Sequence, residues 1–196
     1  MPLFRRAPPP YQASLAMIGV RAGDAVLAIG AGDAALVAEV ARVTGLNGRV
    51  VVADSDATAA VRVERAAVEA GALLEFHHAS EGDRFGRGDR GLGDAFDLVL
   101  VQRPLAPLDE PARRAVIADA LSHVRPGGRV MVLLGARPTG WLWASAPAGP
   151  SLTGAEAEAL LVAAGALAAR TLATLGGVTY VEARGQMGVS PGSDHA

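Results

Sequence analysis

The chain has no cysteine among its 196 residues. Disulfides, thiolate zinc sites and cysteine nucleophiles are therefore excluded. Lysine is absent too, so all 18 basic residues are arginine. That removes Schiff-base chemistry and any tyrosine–lysine proton relay. No apolar run approaches the roughly 20 residues a bilayer crossing requires. The opening, MPLFRRAPPPY, has two arginines but no apolar segment behind them, so it does not read as a secretory leader. The arginines are scattered rather than striped and the net charge is only −2, so neither a nucleic-acid nor a membrane partner is expected. The resulting expectation is a soluble, cytoplasmic protein. Its oligomeric state is left open.

What is present is core-forming material: 51% of residues are hydrophobic and 19% charged. That is the composition of a globular chain long enough to bury a sizeable core as one domain. The Pro- and Arg-rich stretch 1–10 reads as a flexible N-terminal segment and 11–185 as the folded domain. The stretch 186–196 reads as a disordered tail. Within the domain, Tyr11–Val20 is a candidate short helix. Apolar runs then alternate with helical stretches. Strands are expected at Ala25–Ile29, Arg49–Ala53, Leu73–His77, Phe96–Val101 and Arg129–Leu134. Helices are expected at Ala34–Thr44, Ala57–Ala70 and Glu110–His123. The Gly-, Asp- and Arg-rich stretch between the third and fourth strands reads as a loop. A helix at Gly154–Ala164 and two strands, Ala168–Leu175 and Val178–Arg184, close the domain. The join at Gly176-Gly177 predicts an antiparallel hairpin. Runs such as VLAI, VVVA and, after its aspartate, DLVLV are apolar on both sides, as strands covered on both faces must be. Alternation and right-handed crossovers together predict an α/β fold, a doubly wound and mostly parallel sheet with helices on both faces.

The stretch AVLAIGAGDAALVAEVA, Ala25 to Ala41, carries most of the functional information. It reads as strand, tight glycine turn, helix. Glycine takes positive φ without strain and lets backbone pass close to a ligand. The helix start that follows offers unpaired N–H groups and a positive dipole end. Asp54 ends the second strand, 24 positions after Gly30, where an acid accepts hydrogen bonds from ribose hydroxyls. Gly30-x-Gly32-x-x-Ala35 also satisfies the dinucleotide fingerprint, so a nicotinamide-dependent oxidoreductase is one reading.

The same stretch, VLAIGAGDA, resembles motif I of the class I S-adenosylmethionine-dependent methyltransferases, VLDxGxGxG. AFDLVLV and HVRPGGRVMVLL resemble that family's FDxV and LxPGGxLxV patterns at about the expected spacing. A helix-bearing segment precedes the first strand, whereas dinucleotide fingerprints commonly sit at a domain start. The terminal helix and hairpin match the family's seven-stranded sheet. The resemblance runs from Tyr11 to about Arg184, and within the family it is loosely nearest to the small quinone-biosynthesis-type enzymes.

The resemblance implies that Gly30, Ala31 and Gly32 approach the methionine end of S-adenosylmethionine. It implies that Asp54 binds the ribose with Ser55 flanking it, that Ser80 sits by the adenine, and that Gln102 lies near the methyl donor. Asp33 is a candidate cofactor contact or helix N-cap. Tyr11, Arg103, Trp141 and Trp143 are candidates for the acceptor pocket. The chain departs from the family pattern at Ala28, where motif I carries an acid, at Ala34 in place of the third glycine, and at Ser80 in place of an adenine-side acid. No catalytic residue is assigned, which methyl transfer permits, because the cofactor carries the reactivity and the protein chiefly aligns it. His77, His78 and His123 read as structural, and no metal spacing is present. The expected function is methyl transfer to a small-molecule acceptor. The alternatives are a non-catalytic binding or assembly subunit on the same fold, then the NAD(P)-dependent oxidoreductase.

Overall fold

The computed structural model describes residues 11–79, 96–135 and 152–185. In chain order the elements are α1 (Gln12–Ile18), β1 (Ala25–Ile29), α2 (Ala34–Thr44), β2 (Arg49–Asp54), α3 (Ala57–Ala70) and β3 (Glu75–His78). They continue with β4 (Phe96–Val101), α4 (Glu110–Ser122), β5 (Val124–Leu134), α5 (Gly154–Ala163), β6 (Ala168–Leu175) and β7 (Val178–Arg184). One seven-stranded sheet has the order β3-β2-β1-β4-β5-β7-β6. Strands β1 to β5 pair in parallel, while β7 runs antiparallel to both β5 and β6. This is the doubly wound sheet with a closing hairpin that the sequence predicts.

The period-2 alternation of the strands splits the core into two apolar layers. Leu27, Ile29, Val99, Val101, Val130 and Val132 face Ile117 and Ala120 of α4 and Ala157 and Leu161 of α5. Val26, Ala28, Leu98, Leu100, Met131 and Leu133 face the other way, onto Ile18 of α1, Leu36, Val37 and Val40 of α2, and Ala59 and Val63 of α3. Every helix from α2 to α5 starts on a side-chain cap: Asp33, Asp56, Asp109 and Thr153, the last in a capping box with Glu156. Each cap satisfies backbone donors that a helix start otherwise leaves unpaired. Helix α1 has no such cap. It is held from outside, by Tyr11 on Asp33, by Tyr180 Oη donating to Ser14 Oγ at 2.8 Å, and by Arg129 donating to the Gly19 carbonyl.

Element bounds differ from the sequence reading in six elements; α4 ends at Ser122 rather than His123, α5 at Ala163 rather than Ala164, and β3 at His78 rather than His77. Strand β5 starts at Val124 rather than Arg129, because Pro126-Gly127-Gly128 is drawn into the ladder as a bulge. Pairing jumps from Phe96↔Val124 to Leu98↔Arg129, with Gly127 at φ +78°. Proline and glycine signal a turn in sequence, and here they bend a strand instead. Strand β3 starts at Glu75 rather than Leu73, which is 75% exposed. Helix α1 is shortened to Gln12–Ile18 by Gly19 in the left-handed conformation. Strand β2 runs one residue further, to Asp54. The hairpin turn is as predicted, with Gly176 and Gly177 both at positive φ. The Gly/Asp/Arg-rich loop, Trp141 and Trp143, and both termini of the sequence reading lie outside the described residues. Among the described residues no helix is long and apolar enough to cross a membrane.

Candidate functional site

Parallel strands in an open α/β sheet bind ligands beyond their carboxyl ends, where strand order reverses. Here that point lies between β1 and β4, with β2 alongside. The glycine turn occupies it. Gly30 N–H donates to the Ala53 carbonyl on the β2 side. On the β4 side, the N–H groups of both Gln102 and Arg103 donate to the Ile29 carbonyl. The turn is pressed onto the end of β4. A Cβ on Gly30 would lie 2.8 Å from the backbone nitrogen of Arg103, and one on Gly32 would lie 2.6 Å from Gln102 Oε1. With φ at +84° and +35° as well, both positions require glycine twice over.

Three side chains organise the turn. Asp54 Oδ2 accepts from Ala31 N–H at 2.7 Å, and its Oδ1 accepts from Asp56 N–H at 2.9 Å. Its half-buried carboxylate has about four acceptor positions, so two remain open. Asp33 caps α2: its Oδ1 accepts from Ala35 and Leu36 N–H. The Tyr11 hydroxyl donates to the same carboxylate, 3.1 Å from each oxygen. Burial first, and the Asp33 charge and hydrogen bond next, push the Tyr11 pKa up to about 12. Gln102, only 2% exposed, accepts on Oε1 from Asp33 N–H at 3.0 Å. Its Nε2 has no acceptor among the described residues.

The structure thus brings together most of the residues singled out in the sequence: Gly30, Ala31, Gly32, Asp33, Asp54, Gln102, Arg103 and Tyr11. Ser55 follows Asp54 at the end of β2 and is half-buried. Ser80, Trp141 and Trp143 lie outside the described residues. Ala31 is fully buried in the α1–α2 layer, so only its backbone faces the turn, and Asp54 already takes its N–H. Ala28 is likewise fully enclosed in that layer. His77 and His78 stand on edge strand β3, half-buried and exposed respectively. His123 caps α4 at the opposite end of the sheet and is 1% exposed. Among the described residues no cluster of histidine and acid side chains is suited to a metal ion.

What the sequence did not reveal is Arg113. It reaches from α4 to donate to the Leu105 and Ala106 carbonyls at 2.9 and 2.7 Å, fixing the chain that leaves β4 beside the turn. An arginine on a polar helix face gives no sequence signal of this reach.

The cofactor implied by the motif resemblance can be tested against this donor and acceptor set. Asp54 has acceptor positions open for two vicinal hydroxyls, and Gln102 offers a buried donor with nothing yet to receive it. These fit a nucleoside carrying a polar amino-acid tail. The fit to a pyrophosphate is poor, because the helix-start donors Ala35 and Leu36 are already taken by a carboxylate.

A methyltransferase-domain family matches residues 26–128, just over half of the chain. No curated protein matches the chain. Among solved structures, a protein from Nostoc punctiforme assigned as an O-methyltransferase aligns with TM-score 0.69 and 19% identity. The alignment covers 89% of this chain and 55% of that one. The S-adenosylmethionine-dependent methyltransferase SibL aligns at 0.64 and 26% identity, covering 89% and 53%. The [4+2]-cyclase SpnF aligns at 0.62 and 16%, covering 90% and 79%. The chain therefore spans about half the length of the first two, and the third shows that this fold serves more than one named activity. Sheet order, glycine turn and family match converge, and the chain belongs to the methyltransferase-domain family, on the seven-stranded class I S-adenosylmethionine-dependent methyltransferase fold.

Proposed function

We propose that the protein binds S-adenosylmethionine across the ends of β1, β2 and β4 and transfers its methyl group to a small-molecule acceptor. The observation that carries this reading is the charge of the turn. Asp33 places a carboxylate on the start of α2, where a dinucleotide fold seats pyrophosphate. That carboxylate occupies two of the helix-start donors and repels a second anion. A ligand with a sulfonium and an ammonium is favoured at the same place. Bound there, S-adenosylmethionine supplies an electrophilic methyl group. The chain's own part is to hold and orient. Asp54 accepts from the ribose hydroxyls with Ser55 beside it. Gly30 and Gly32 let backbone approach the amino-acid tail, and Gln102 closes the β4 side. Ser80 stays assigned to the adenine side, and Trp141 and Trp143 to the acceptor side, on sequence position alone. Tyr11 acts through Asp33, joining α1 to the turn.

A second reading, a non-catalytic subunit of the same fold, is carried by Ala28. The motif I acid is replaced by a methyl group sealed in an apolar layer. Thermal melts separate the readings. A ligand at 100 times its Kd stabilises a fold by about 2.7 kcal/mol. S-adenosylhomocysteine is expected to raise the melting temperature while NADPH leaves it unchanged. Stabilisation by NADPH alone would overturn the proposal. No shift with either ligand would favour the subunit reading.

A further inference from the structure

Helix α3 has two apolar stripes, and the fold uses only one of them. Ala59, Val63 and Ala67, spaced by four, are its buried face, and the first two sit in the layer that also holds α2. The opposite face carries Val61, Glu64, Arg65 and Val68, all exposed. Their i, i+3, i+4, i+7 spacing lines one side of a helix. The two valines are 68% and 80% exposed, and no other described helix carries two exposed large apolar side chains. Branched residues are poor helix formers, and these two bury too little within the chain to offset that. Between them stands a charge of each sign. The Arg65 Nε donates to Glu69 at 2.9 Å, with both side chains largely in water. Such a pair is weakly held and leaves most of the five guanidinium donors open.

We propose that this face is the contact between two copies of the chain, with their α3 helices antiparallel across a two-fold axis. The face is self-complementary in that direction alone. An axis passing between residues 64 and 65 sets Val61 against Val68 of the second copy and Glu64 against Arg65 of the second copy. The symmetry repeats each contact, giving two apolar pairs and two ion pairs. With the helices parallel, Glu64 would meet Glu64 and Arg65 would meet Arg65, and like charges in contact oppose association. Helix α3 carries two arginines and two glutamates, so no net charge on it drives the copies apart. One helix face is small beside the roughly 1,200 Å² that a stable interface buries. The contact is therefore weak and reversible, and fills only at high concentration. It uses no residue of the β1–α2 turn, so it adds to the methyl-transfer reading without depending on it.

The test is sedimentation velocity of the full chain over a concentration series from low micromolar to millimolar. The weight-average mass of wild type is expected to climb from one chain toward two. Val68→Glu is expected to hold it at one chain throughout. Glu64→Arg and Arg65→Glu should each weaken the dimer at least about 10-fold, since each sets like charges together twice. The double variant carrying both changes exchanges the two charges and should recover most of the lost affinity. A residue with a merely structural role in α3 would not show that rescue. The charge variants alter groups already in water, so they keep the experiment decisive if Val68→Glu disturbs the helix. A wild type that stays a single chain at every concentration would overturn the proposal and leave the face to a different partner. A dimer that survives Val68→Glu would overturn it by placing the contact elsewhere. A double variant as weak as the single ones would overturn the antiparallel pairing.

Discussion

At the β1–α2 turn Gly30 and Gly32 take φ of +84° and +35°, and at the β6–β7 hairpin Gly176 and Gly177 take +57° and +82°. The backbone demand is alike, but the surroundings are not. Around the hairpin pair an added Cβ meets no described residue within 4 Å, whereas at Gly30 it meets the Arg103 backbone and at Gly32 the Gln102 side chain. The hairpin needs glycine for conformation alone. The β1–α2 turn needs it for conformation and for close approach, which holds Gln102, Arg103, Asp33 and Asp54 around one point. In sequence the two pairs differ only by one intervening residue. What the two turns pack against is what differs.

Gly30→Ala should do the most damage. It forces a side chain into the left-handed region, about 1–2 kcal/mol, and overpacks rigid backbone, about another 1–3 kcal/mol. Urea unfolding should show a loss of roughly 3 kcal/mol with weakened ligand binding. A loss no larger than at the hairpin would erase the contrast drawn here. Gly32→Ala should cost less, since one of its contacts is the end of a glutamine side chain, but should still weaken binding by displacing Gln102.

Tyr11→Phe removes one hydrogen bond to Asp33 and should cost about 1 kcal/mol. It should also remove a pH dependence. The folded pKa of Tyr11, about 12, lies above its ordinary value near 10. The protonated hydroxyl therefore contributes stability fully below about pH 10, and that contribution is lost as pH rises through about 12. The difference in stability between wild type and Tyr11→Phe should shrink across that window. A constant difference would show that the tyrosine proton is not what holds α1 to the turn. The smallest effect belongs to the hairpin. Gly177→Asn should lower stability only slightly, because asparagine tolerates positive φ, and ligand affinity should not move.

Most of the scaffold was legible because local and global signals agree. Gly30-Ala31-Gly32-Asp33 announced turn and cap together, and α2 runs over Ala34–Thr44 as its pattern predicts. Apolar runs such as Phe96–Val101 marked doubly covered strands, and Gly176-Gly177 marked the hairpin. Pro126-Gly127-Gly128 misled, because turn chemistry and bulge chemistry use the same residues and only pairing with β4 decides between them. Around the turn, residue types marked Asp54 and the glycines, which the structure brings together. They did not foretell that Tyr11 and Gln102 would meet on Asp33, since contacts between residues 22 and 69 positions apart leave no periodic trace. The Arg113 clamp on Leu105 and Ala106 was hidden for a related reason, because its partners are backbone carbonyls, which every residue has.

The central claim is that the β1–α2 turn is a nucleoside site read by Asp54 and not merely a tight connection. Titration of wild type and Asp54→Asn with S-adenosylhomocysteine tests it most directly. Asparagine keeps an oxygen for one of the two backbone donors, Ala31 or Asp56 N–H, sets its NH2 against the other, and removes the charged acceptor that two hydroxyls need. The account predicts measurable binding by wild type and affinity about 10- to 100-fold weaker in the variant, with the ligand-free variant less stable by about 1–2 kcal/mol for the backbone donor it leaves unpaired. Equal affinity in the two proteins would contradict it, and the turn would then be a connector like its counterpart at Gly176-Gly177.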